Sequence, residues 1–289
     1  MILVTGASGN VGSAVLNDLL KLGAPIRAMY RSKVDAAKAP AGVEQVIADF
    51  GDRASLDRAL HGVERVYLVC SPIPQLVELE TNMVEACRAA GVRHLVQSSA
   101  LGAGETKASF PSWHFQVEHK VHASGVPATI LRPESFLQNI LNYYAPTIRS
   151  HGAFYAALKN APIAYIDVRD IGAVAAKVLT TDVHTGQTYI LTGGELLTHD
   201  EIARRIAKAI GRPVKYVDLA PKDLKQAMIA QGTPQWLADA LLELQAYYTD
   251  GPGAKVTDVV RNVLGREPRT LDQFLKDFAG DFQREAATA

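Results

Sequence analysis

The sequence predicts an α/β protein with a doubly wound parallel sheet and a smaller, mostly helical cap towards its C-terminal end. Two observations lead to this class. In the first two-thirds of the chain, short apolar runs alternate with helix-like segments, as in parallel strands buried on both faces and joined by right-handed crossovers. The last third carries mainly helical patterns, which predict the cap.

The predicted strands of the first half follow one another at the spacing of β-α units. They cover residues 2–5, 25–30, 43–48, 65–70, 92–97 and 127–132. Residues 11–22, after the first strand, predict a helix, because apolar residues recur on one stripe and Gly23 is a suitable C-cap. This order predicts that the sheet domain begins with a strand-turn-helix unit.

Beyond residue 133 the alternation loosens. We expect helices at 134–149, 170–180, 198–210, 221–230, 234–248 and 271–282, and strands at 163–168, 188–193 and 214–219. Residues 160–192 are expected to return to the main sheet. We therefore divide the chain into a sheet domain, residues 1–133 with 160–192, and a helical subdomain, residues 134–159 with 193–289.

Composition excludes some classes of partner. Thirty basic residues balance thirty acidic ones among 289, which gives no reason to expect nucleic acid or an anionic membrane as partner. No secretory pattern and no membrane-spanning apolar run is visible, and Cys70 and Cys87 have the spacing of free thiols rather than of a metal site. We expect a cytoplasmic monomer or homodimer that acts on a small molecule.

Three glycines stand between the first predicted strand and the first predicted helix. Gly6 permits the tight turn, Gly9 lets the backbone approach a pyrophosphate, and Gly12 lets helix and strand pack closely. Free amides at the helix N-terminus then meet the phosphates. The pattern predicts a dinucleotide-binding Rossmann domain whose loop consists of Gly6, Ala7, Ser8, Gly9, Asn10, Val11 and Gly12.

The end of the second strand bears on the choice of cofactor. An NAD site usually carries an acidic residue there, whereas this chain has Arg31 and Lys33. A guanidinium is suited to bidentate contact with a 2′-phosphate, so the sequence favours NADP(H), with NAD(H) as the alternative. The competing interpretation is a solvated basic loop whose side chains point away from the cofactor.

Further cofactor contacts are expected where later strands end, because these edges line the ligand crevice of an open α/β sheet. The Asp49 carboxylate is expected to accept from the adenine amino group, with the Phe50 ring against the base. The alternative is a turn aspartate and a core phenylalanine. The complete set of expected residues at these edges is Asp49, Phe50, Ser71, Pro72, Ser98 and Pro133.

The loop TGASGNVG, the arginine after the second strand and the stretch 131-LRPESFLQN-139 together resemble the atypical short-chain dehydrogenase/reductases related to NmrA. The resemblance extends over nearly the whole chain and is nearest to NAD(P)H:quinone reductases and triphenylmethane dye reductases. It implies an NAD(P)H-dependent oxidoreductase. An NmrA-like regulator that binds the nucleotide without turnover is the alternative, and a sugar epimerase or dehydrogenase is a third candidate.

The resemblance also reveals a departure. His114 falls where related plant reductases carry the ribose-orienting lysine, and Phe110 falls at the tyrosine of Tyr-x-x-x-Lys. Reduction of a ketone gives an alkoxide that needs a proton donor, whereas a quinone gives a phenolate-type anion with a conjugate-acid pKa of about 10. A cationic dye is simply neutralised. We therefore predict an NADPH-dependent reductase of quinones or similar conjugated, aromatic acceptors.

Three interpretations of His114 remain open from the sequence: a catalytic contact with cofactor or substrate, a surface residue paired with Glu118, or a metal site with Glu118 and His122. The acceptor is expected between the sheet edge and the cap, against flat aromatic walls. The expected substrate residues are Phe110, Trp113, Phe136, Phe154 and Tyr155, with Tyr143 as a further candidate, and no metal is expected.

Overall fold

The computed structural model describes residues 1–251 and 253–283, which contain a parallel sheet of seven strands and a second, two-stranded sheet. The nine strands in chain order are β1 (Ile2–Val4), β2 (Ile26–Tyr30), β3 (Glu44–Ile47), β4 (Arg65–Leu68), β5 (His94–Ser98), β6 (Ala128–Pro133), β7 (Ala153–Ala156), β8 (Thr188–Leu191) and β9 (Lys215–Asp218). The large sheet has the order β3-β2-β1-β4-β5-β6-β8. The predicted doubly wound Rossmann sheet is confirmed.

The winding of the sheet reverses beside β1. Val4 pairs with Ala28 of β2 on one side and with Tyr67 of β4 on the other, and all these pairings are parallel. In an open α/β sheet the ligand crevice lies beyond the carboxyl ends of the strands at such a reversal. The loop that follows β1 therefore starts at the crevice.

Helices cover both faces of the sheet and build the cap. They are α1 (Asn10–Lys21), α2 (Lys33–Ala36), α3 (Arg53–Ala59), α4 (Leu76–Ala89), α5 (Ser109–Ser124), α6 (Leu137–Asn139), α7 (Ala145–His151), α8 (Val168–Thr180), α9 (His199–Ile210), α10 (Pro221–Ala230), α11 (Gln235–Thr249), α12 (Val259–Leu264) and α13 (Leu271–Phe278). A π-helical turn at Ile140–Tyr144 joins α6 to α7. The 3₁₀ turn Ala279–Phe282 follows α13.

The helices α1 and α8 pack backbone to backbone on one face of the sheet. A Cβ atom added at Gly172 of α8 would lie 2.7 Å from the carbonyl carbon of Ala14 in α1. Only glycine fits at that crossing, because a side chain would separate the two helices. The strand β8 then joins the sheet by pairing in parallel with β6.

The apolar core has three parts. One cluster lies on each face of the large sheet, and the third is drawn almost wholly from residues 137–165 and 197–282. The strands β7 and β9 pair in parallel within this third part. The exact boundaries of the two predicted domains stay a prediction.

One expected strand is wrong. Residues 163–168 form no strand; Ile163 and Ile166 make isolated bridges with Leu197 and Phe136 instead. The apolar residues of this segment are buried all the same. The strand β7 and the helix α12 lay outside the expected elements. None of the helices in the described ranges could cross a membrane.

Candidate active site

The glycine loop after β1 has the geometry that its spacing predicts. Gly6 has φ +56°, a conformation that residues with a side chain rarely adopt. A Cβ atom at Gly12 would lie 2.1 Å from the Gly6 carbonyl oxygen, so only glycine allows α1 to start this close to the loop. Thr5 fixes the other side, since its hydroxyl bonds to the backbone of Tyr67 and Val69 in and beyond β4.

The loop presents free backbone amides to the crevice. Gly9 is the N-cap of the 12-residue helix α1 and has no side chain to occupy the first turn. A Cβ at Gly9 would meet only the Gly6 oxygen, at 3.3 Å, so its outer face is open. Amides at a helix N-terminus attract anions, and a phosphate fits this cradle.

The basic residues after β2 are available for an anion. Arg31 and Lys33 are both exposed, and neither makes an ion pair within the described part of the chain. Ser32 caps α2 by accepting from the Asp35 amide at 3.1 Å and donates to the Asp35 carboxylate at 2.7 Å. The Asp35 carboxylate thus bonds to Ser32 and makes no ion pair with Arg31, whose contact with a 2′-phosphate stays a prediction.

Asp49 and Phe50 behave differently from each other. Asp49 is exposed, and one of its carboxylate oxygens accepts from the Gly51 amide at 2.7 Å while the other stays free. Phe50 is only 8% exposed and packs in an apolar core cluster, which favours the alternative of a core phenylalanine, and its contact with the base stays a prediction. Phe50 is a core residue because the chain turns inward towards α3 here. The adenine contact by Asp49 stays a prediction.

The other expected cofactor residues all stand at the carboxyl edge of the sheet. Ser71 and Pro72 are exposed just beyond β4, Ser98 is the last residue of β5, and Pro133 is the last residue of β6. The register pairs Ser98 with Leu131, so the ends of β5 and β6 lie side by side. The topology thus brings these residues to one edge, where an extended dinucleotide would run.

His114 points into the protein and not into solvent. Its side chain is 8% exposed, its Nδ1 atom is buried without a hydrogen-bond partner in the described chain, and burial lowers its pKa to about 4. The histidine is therefore neutral near pH 7 and offers one N–H. The interpretation of a charged surface histidine is wrong. A contact with cofactor or substrate stays a prediction.

Glu118 is engaged elsewhere. Its carboxylate is 4% exposed and takes a bidentate ion pair from Arg132 of β6, with distances of 2.9 and 2.5 Å, and a 2.5 Å bond from the Ser99 hydroxyl. His122 is exposed one turn further on. The metal site of His114, Glu118 and His122 is wrong, because the Glu118 oxygens already tie α5 to the sheet. No group of metal-ligand side chains occurs among residues 1–251 and 253–283.

A cavity of about 510 Å³ lies inside the cap, and Ser135, two residues beyond the end of β6, is one of its lining residues. Its walls are mostly apolar and contain five tyrosines, together with leucines and a methionine from α10 and α11. The volume suits a ligand of one or two aromatic rings. The tyrosines are Tyr143, Tyr144, Tyr155, Tyr165 and Tyr248.

The aromatic residues expected at this cavity are only partly those found there. Tyr143 and Tyr155 line it. Phe154 is fully buried and stacks on Tyr144 at 4.6 Å, so its expected substrate contact is wrong. It belongs to the core because β7 pairs with β9 and turns alternate side chains inward.

Phe110, Trp113 and Phe136 do not belong to the cavity wall either. Phe110 and Trp113 of α5 meet edge to face at 5.7 Å, and Trp113 reaches Trp236 of α11 at 6.4 Å. These rings join the sheet domain to the cap, and Phe136 packs partly against the core of the sheet. Their direct role towards a substrate stays a prediction.

Two hydrogen-bonded groups of polar residues adjoin the cavity, and neither was expected. His199 Nε2 lies 3.0 Å from the Tyr144 hydroxyl and 3.3 Å from that of Tyr165. Burial raises the pKa of both tyrosines, so their hydroxyls stay protonated. No local pattern could have grouped these three residues, because 55 positions separate Tyr144 from His199 and only the folded cap joins them.

The second group contains Ser135 and Tyr248 on the cavity wall and the buried carboxyl of Glu134 behind them. Ser135 Oγ lies 2.9 Å from the Tyr248 hydroxyl, which donates to Glu134. Burial raises the pKa of Glu134 to about 7. A hint existed in the sequence, since Glu134 directly follows a buried strand in the quoted stretch LRPESFLQN.

The model of the NmrA-like family matches residues 1–275. Over 287 residues the chain is 38% identical to the NAD(P)H azoreductase of Xenophilus azovorans, covering 98% of this chain and 99% of that protein.

Solved structures of similar proteins include complexes with the cofactor. The NADPH-dependent quinone oxidoreductase of Escherichia coli, in complex with NADPH, is 31% identical with a TM-score of 0.89, over 96% of this chain and 99% of that one. The triphenylmethane reductase of a Citrobacter species, in complex with NADP(H), is 25% identical with a TM-score of 0.87, over the same shares.

Proposed function

This chain belongs to the NmrA-like family, and from that premise we propose that it reduces quinones, azo compounds or similar conjugated aromatic acceptors with NADPH. Its class is that of an NAD(P)H-dependent oxidoreductase. The observation that carries the choice of acceptor is the cavity of about 510 Å³, which is lined by tyrosines and apolar side chains and by Ser135 just beyond β6.

The residues present fit a dinucleotide. Gly9 and the first-turn amides of α1 are placed to hold the pyrophosphate, and Gly12 allows the close approach of helix and loop. Arg31 would hold a 2′-phosphate, which favours NADPH over NADH. Asp49, Ser71, Pro72, Ser98 and Pro133 continue the same edge of the sheet. When bound, the reduced nicotinamide supplies a hydride.

The chain itself supplies position, exclusion of water and hydrogen bonds. The tyrosine-lined cavity would hold a flat acceptor by stacking, and its apolar walls would keep water away from the reacting face. His114 is neutral and buried on α5, so it can offer a hydrogen bond but no positive charge. Phe110 replaces the usual tyrosine and offers no proton. This pair favours acceptors whose reduction needs little acid assistance from α5.

The direct test is consumption of NADPH by the purified chain with a panel of benzoquinones, azo dyes, cationic triphenylmethane dyes and simple aliphatic ketones. We expect turnover with the conjugated acceptors and none with the ketones, because a ketone gives a strongly basic alkoxide. Tyr155→Ala, on the cavity wall, should raise KM for the acceptor and leave NADPH binding unchanged.

The alternative is an NmrA-like regulator that senses NAD(P) without turnover. It shares the cofactor loop, so nucleotide binding does not distinguish the two. The cavity favours the reductase, since a sensor of the nucleotide needs no ring-sized apolar space in its cap. Tight binding of NADPH with no oxidation across the whole acceptor panel would replace the reductase by the regulator.

A further inference from the structure

The polar group formed by Glu134, Ser135 and Tyr248 connects the cavity wall to a carboxyl group inside the protein. Ser135 and Tyr248 line the cavity, whereas Glu134 is 1% exposed. Ser135 comes from the segment just beyond β6 and Tyr248 from the end of α11, so the group forms only when these two distant parts of the chain pack together.

The bonds form an unbroken series. Ser135 Oγ and the Tyr248 hydroxyl are 2.9 Å apart, and the Tyr248 hydroxyl donates to Glu134 Oε1. The Ser135 amide donates to the same Oε1 atom at 2.8 Å. Glu134 Oε2 is buried and has no hydrogen-bond partner within residues 1–251 and 253–283. An un-ionised carboxyl suits this position, because an ionised one would leave a buried charge half solvated.

We propose that Glu134, Tyr248 and Ser135 form a proton relay that delivers a proton to the reduced acceptor in the cavity, in place of the absent catalytic tyrosine of α5. The proposal rests on the proposed function, because the acceptor must occupy this cavity. Ser135 and Tyr248 are the catalytic residues that contact the acceptor, and Glu134 acts through them as the internal proton store.

The step balances for an azo acceptor. One nitrogen of the N=N bond gains the hydride and the other gains a proton from Ser135 or Tyr248, so the double bond becomes a single N–N bond as NADPH is oxidised to NADP⁺. The hydroxyl that gave its proton recovers one from Glu134 once the carboxyl turns, because its proton is carried on Oε2 while Oε1 accepts from Tyr248 and the Ser135 amide. Solvent then restores the proton on Glu134 before the next turnover.

Acceptors differ in their need for this proton. Hydride addition to an azo group leaves a strongly basic nitrogen anion, which requires a donor within hydrogen-bond reach. Hydride addition to a cationic triphenylmethane dye leaves a neutral product and requires no proton. The relay therefore extends the acceptor class beyond those that tolerate the loss of the α5 tyrosine. A comparison of turnover with the two dye classes therefore distinguishes a loss of proton delivery from a loss of cofactor binding or hydride transfer.

The charges around Glu134 leave it able to give and take a proton near neutrality. Burial raises its pKa to about 7, although Tyr248 and the cation of Lys255 favour the ionised form. Lys255 also forms an ion pair with Glu105, with 3.4 Å between Nζ and Oε1. The neighbouring hydroxyl of Tyr165 stays protonated, because burial raises its pKa well above the ordinary range. A general acid works best when its pKa lies near the operating pH.

The test compares Glu134→Gln, Ser135→Ala and Tyr248→Phe with the matched control Tyr247→Phe, whose hydroxyl donates to Glu105 and lies outside the cavity wall. In Glu134→Gln we expect azo turnover to fall by about 10²-fold or more. Reduction of the cationic dye should stay within about twofold, because it needs no donor. The control should change neither rate.

A pH series gives a second signature. Wild-type azo turnover should fall as pH rises through about 7, where Glu134 loses its proton, and turnover of the cationic dye should not follow that profile. In Glu134→Gln the azo rate should be low and without this pH dependence. Equal losses with both dyes in Glu134→Gln would make Glu134 a structural residue and overturn the relay.

A readout independent of turnover is the infrared band of the un-ionised carboxyl in the protein without acceptor. We expect the band to vanish as pH rises through about 7, to be absent in Glu134→Gln and to shift in Tyr248→Phe. A carboxyl ionised throughout the neutral range contradicts the relay. Wild type that reduces the cationic dye but no azo dye also contradicts it. Failure to oxidise NADPH with any acceptor overturns the proposed function instead.

Discussion

Arg31 and Glu134 are ionisable residues in opposite surroundings. Arg31 is exposed beyond β2 and makes no ion pair in the described residues, whereas Glu134 is buried beyond β6 and bonds to Tyr248. A free guanidinium at this edge gains when a phosphate arrives, because a charge-assisted bidentate contact is strong and costs little desolvation at the surface. A buried carboxyl gains when it holds its proton.

Arg31→Ala tests the phosphate assignment. We expect the Kd for NADPH to rise by about 10- to 100-fold, the value of a charge-assisted contact, with little change in the Kd for NADH. Fluorescence titration with both nucleotides measures the two constants. Lys38→Ala, another exposed cation past α2, is the matched control and should alter neither constant. An equal rise of the Kd for NADPH and the Kd for NADH in Arg31→Ala would contradict a contact between Arg31 and the 2′-phosphate.

At the scale of elements, the cofactor loop depends on two glycines for two different reasons. At Gly12 the space for a Cβ is filled by the chain itself, at 2.1 Å from the Gly6 oxygen. At Gly9 the chain leaves room, and the nearest atom is 3.3 Å away. Gly12 therefore serves the packing of α1 on the loop, and we propose that Gly9 allows a ligand to approach the backbone.

The variants Gly12→Ala and Gly9→Ala should separate stability from binding. We expect Gly12→Ala to lower the free energy of unfolding by about 3 kcal/mol, because loop and helix must move apart. Gly9→Ala should change stability by less than about 1 kcal/mol yet weaken NADPH binding by about tenfold or more. Urea denaturation and nucleotide titration measure the two effects. Unchanged NADPH affinity in Gly9→Ala would place the pyrophosphate elsewhere.

At the scale of the whole molecule, burial favours the neutral forms of histidine and glutamate side chains, and it shifts their pKa values in opposite directions. Burial lowers the pKa of His114 and of His199 to about 4, and it raises the pKa of Glu134 to about 7 and of Glu80 to about 8. As the pH falls, the two histidines destabilise the folded state, because the unfolded state binds more protons. As the pH rises, the two carboxyls destabilise the folded state, because it must lose protons that the unfolded state has already lost.

Variants of single residues should reveal these opposite slopes. Relative to His114→Gln, we expect the wild type to lose about 3 kcal/mol of unfolding free energy as pH falls from about 6.5 to about 4. Relative to Glu134→Gln, it should lose stability as pH rises from the ordinary carboxyl pKa of 4.5 through about 7. Denaturation across this range measures both. His122→Gln, exposed on the same helix as His114, should follow the wild-type curve.

Much of the sheet domain could be predicted because its rules are local. A buried parallel strand needs a short apolar run, and a phosphate loop needs glycines at fixed spacing. The elements β1 and α1 and the role of Gly12 can therefore be predicted from residues that are close in the sequence. The error at residues 163–168 arose because an extended buried segment and a strand share the same alternation. Hydrophobic periodicity indicates which side chains are buried, but it does not indicate whether another strand pairs with the segment.

The sequence by itself determined the family, the sheet and the tight turn of the glycine loop, since each depends on residue types at short separations. Only the tertiary structure decided which aromatic rings face the cavity, that Glu118 belongs to Arg132, and that Tyr248 reaches Glu134 across 114 positions. The physical reason is that cap residues meet the sheet edge only when the chain closes on itself. A hydrogen bond between distant segments leaves no periodic trace in either one.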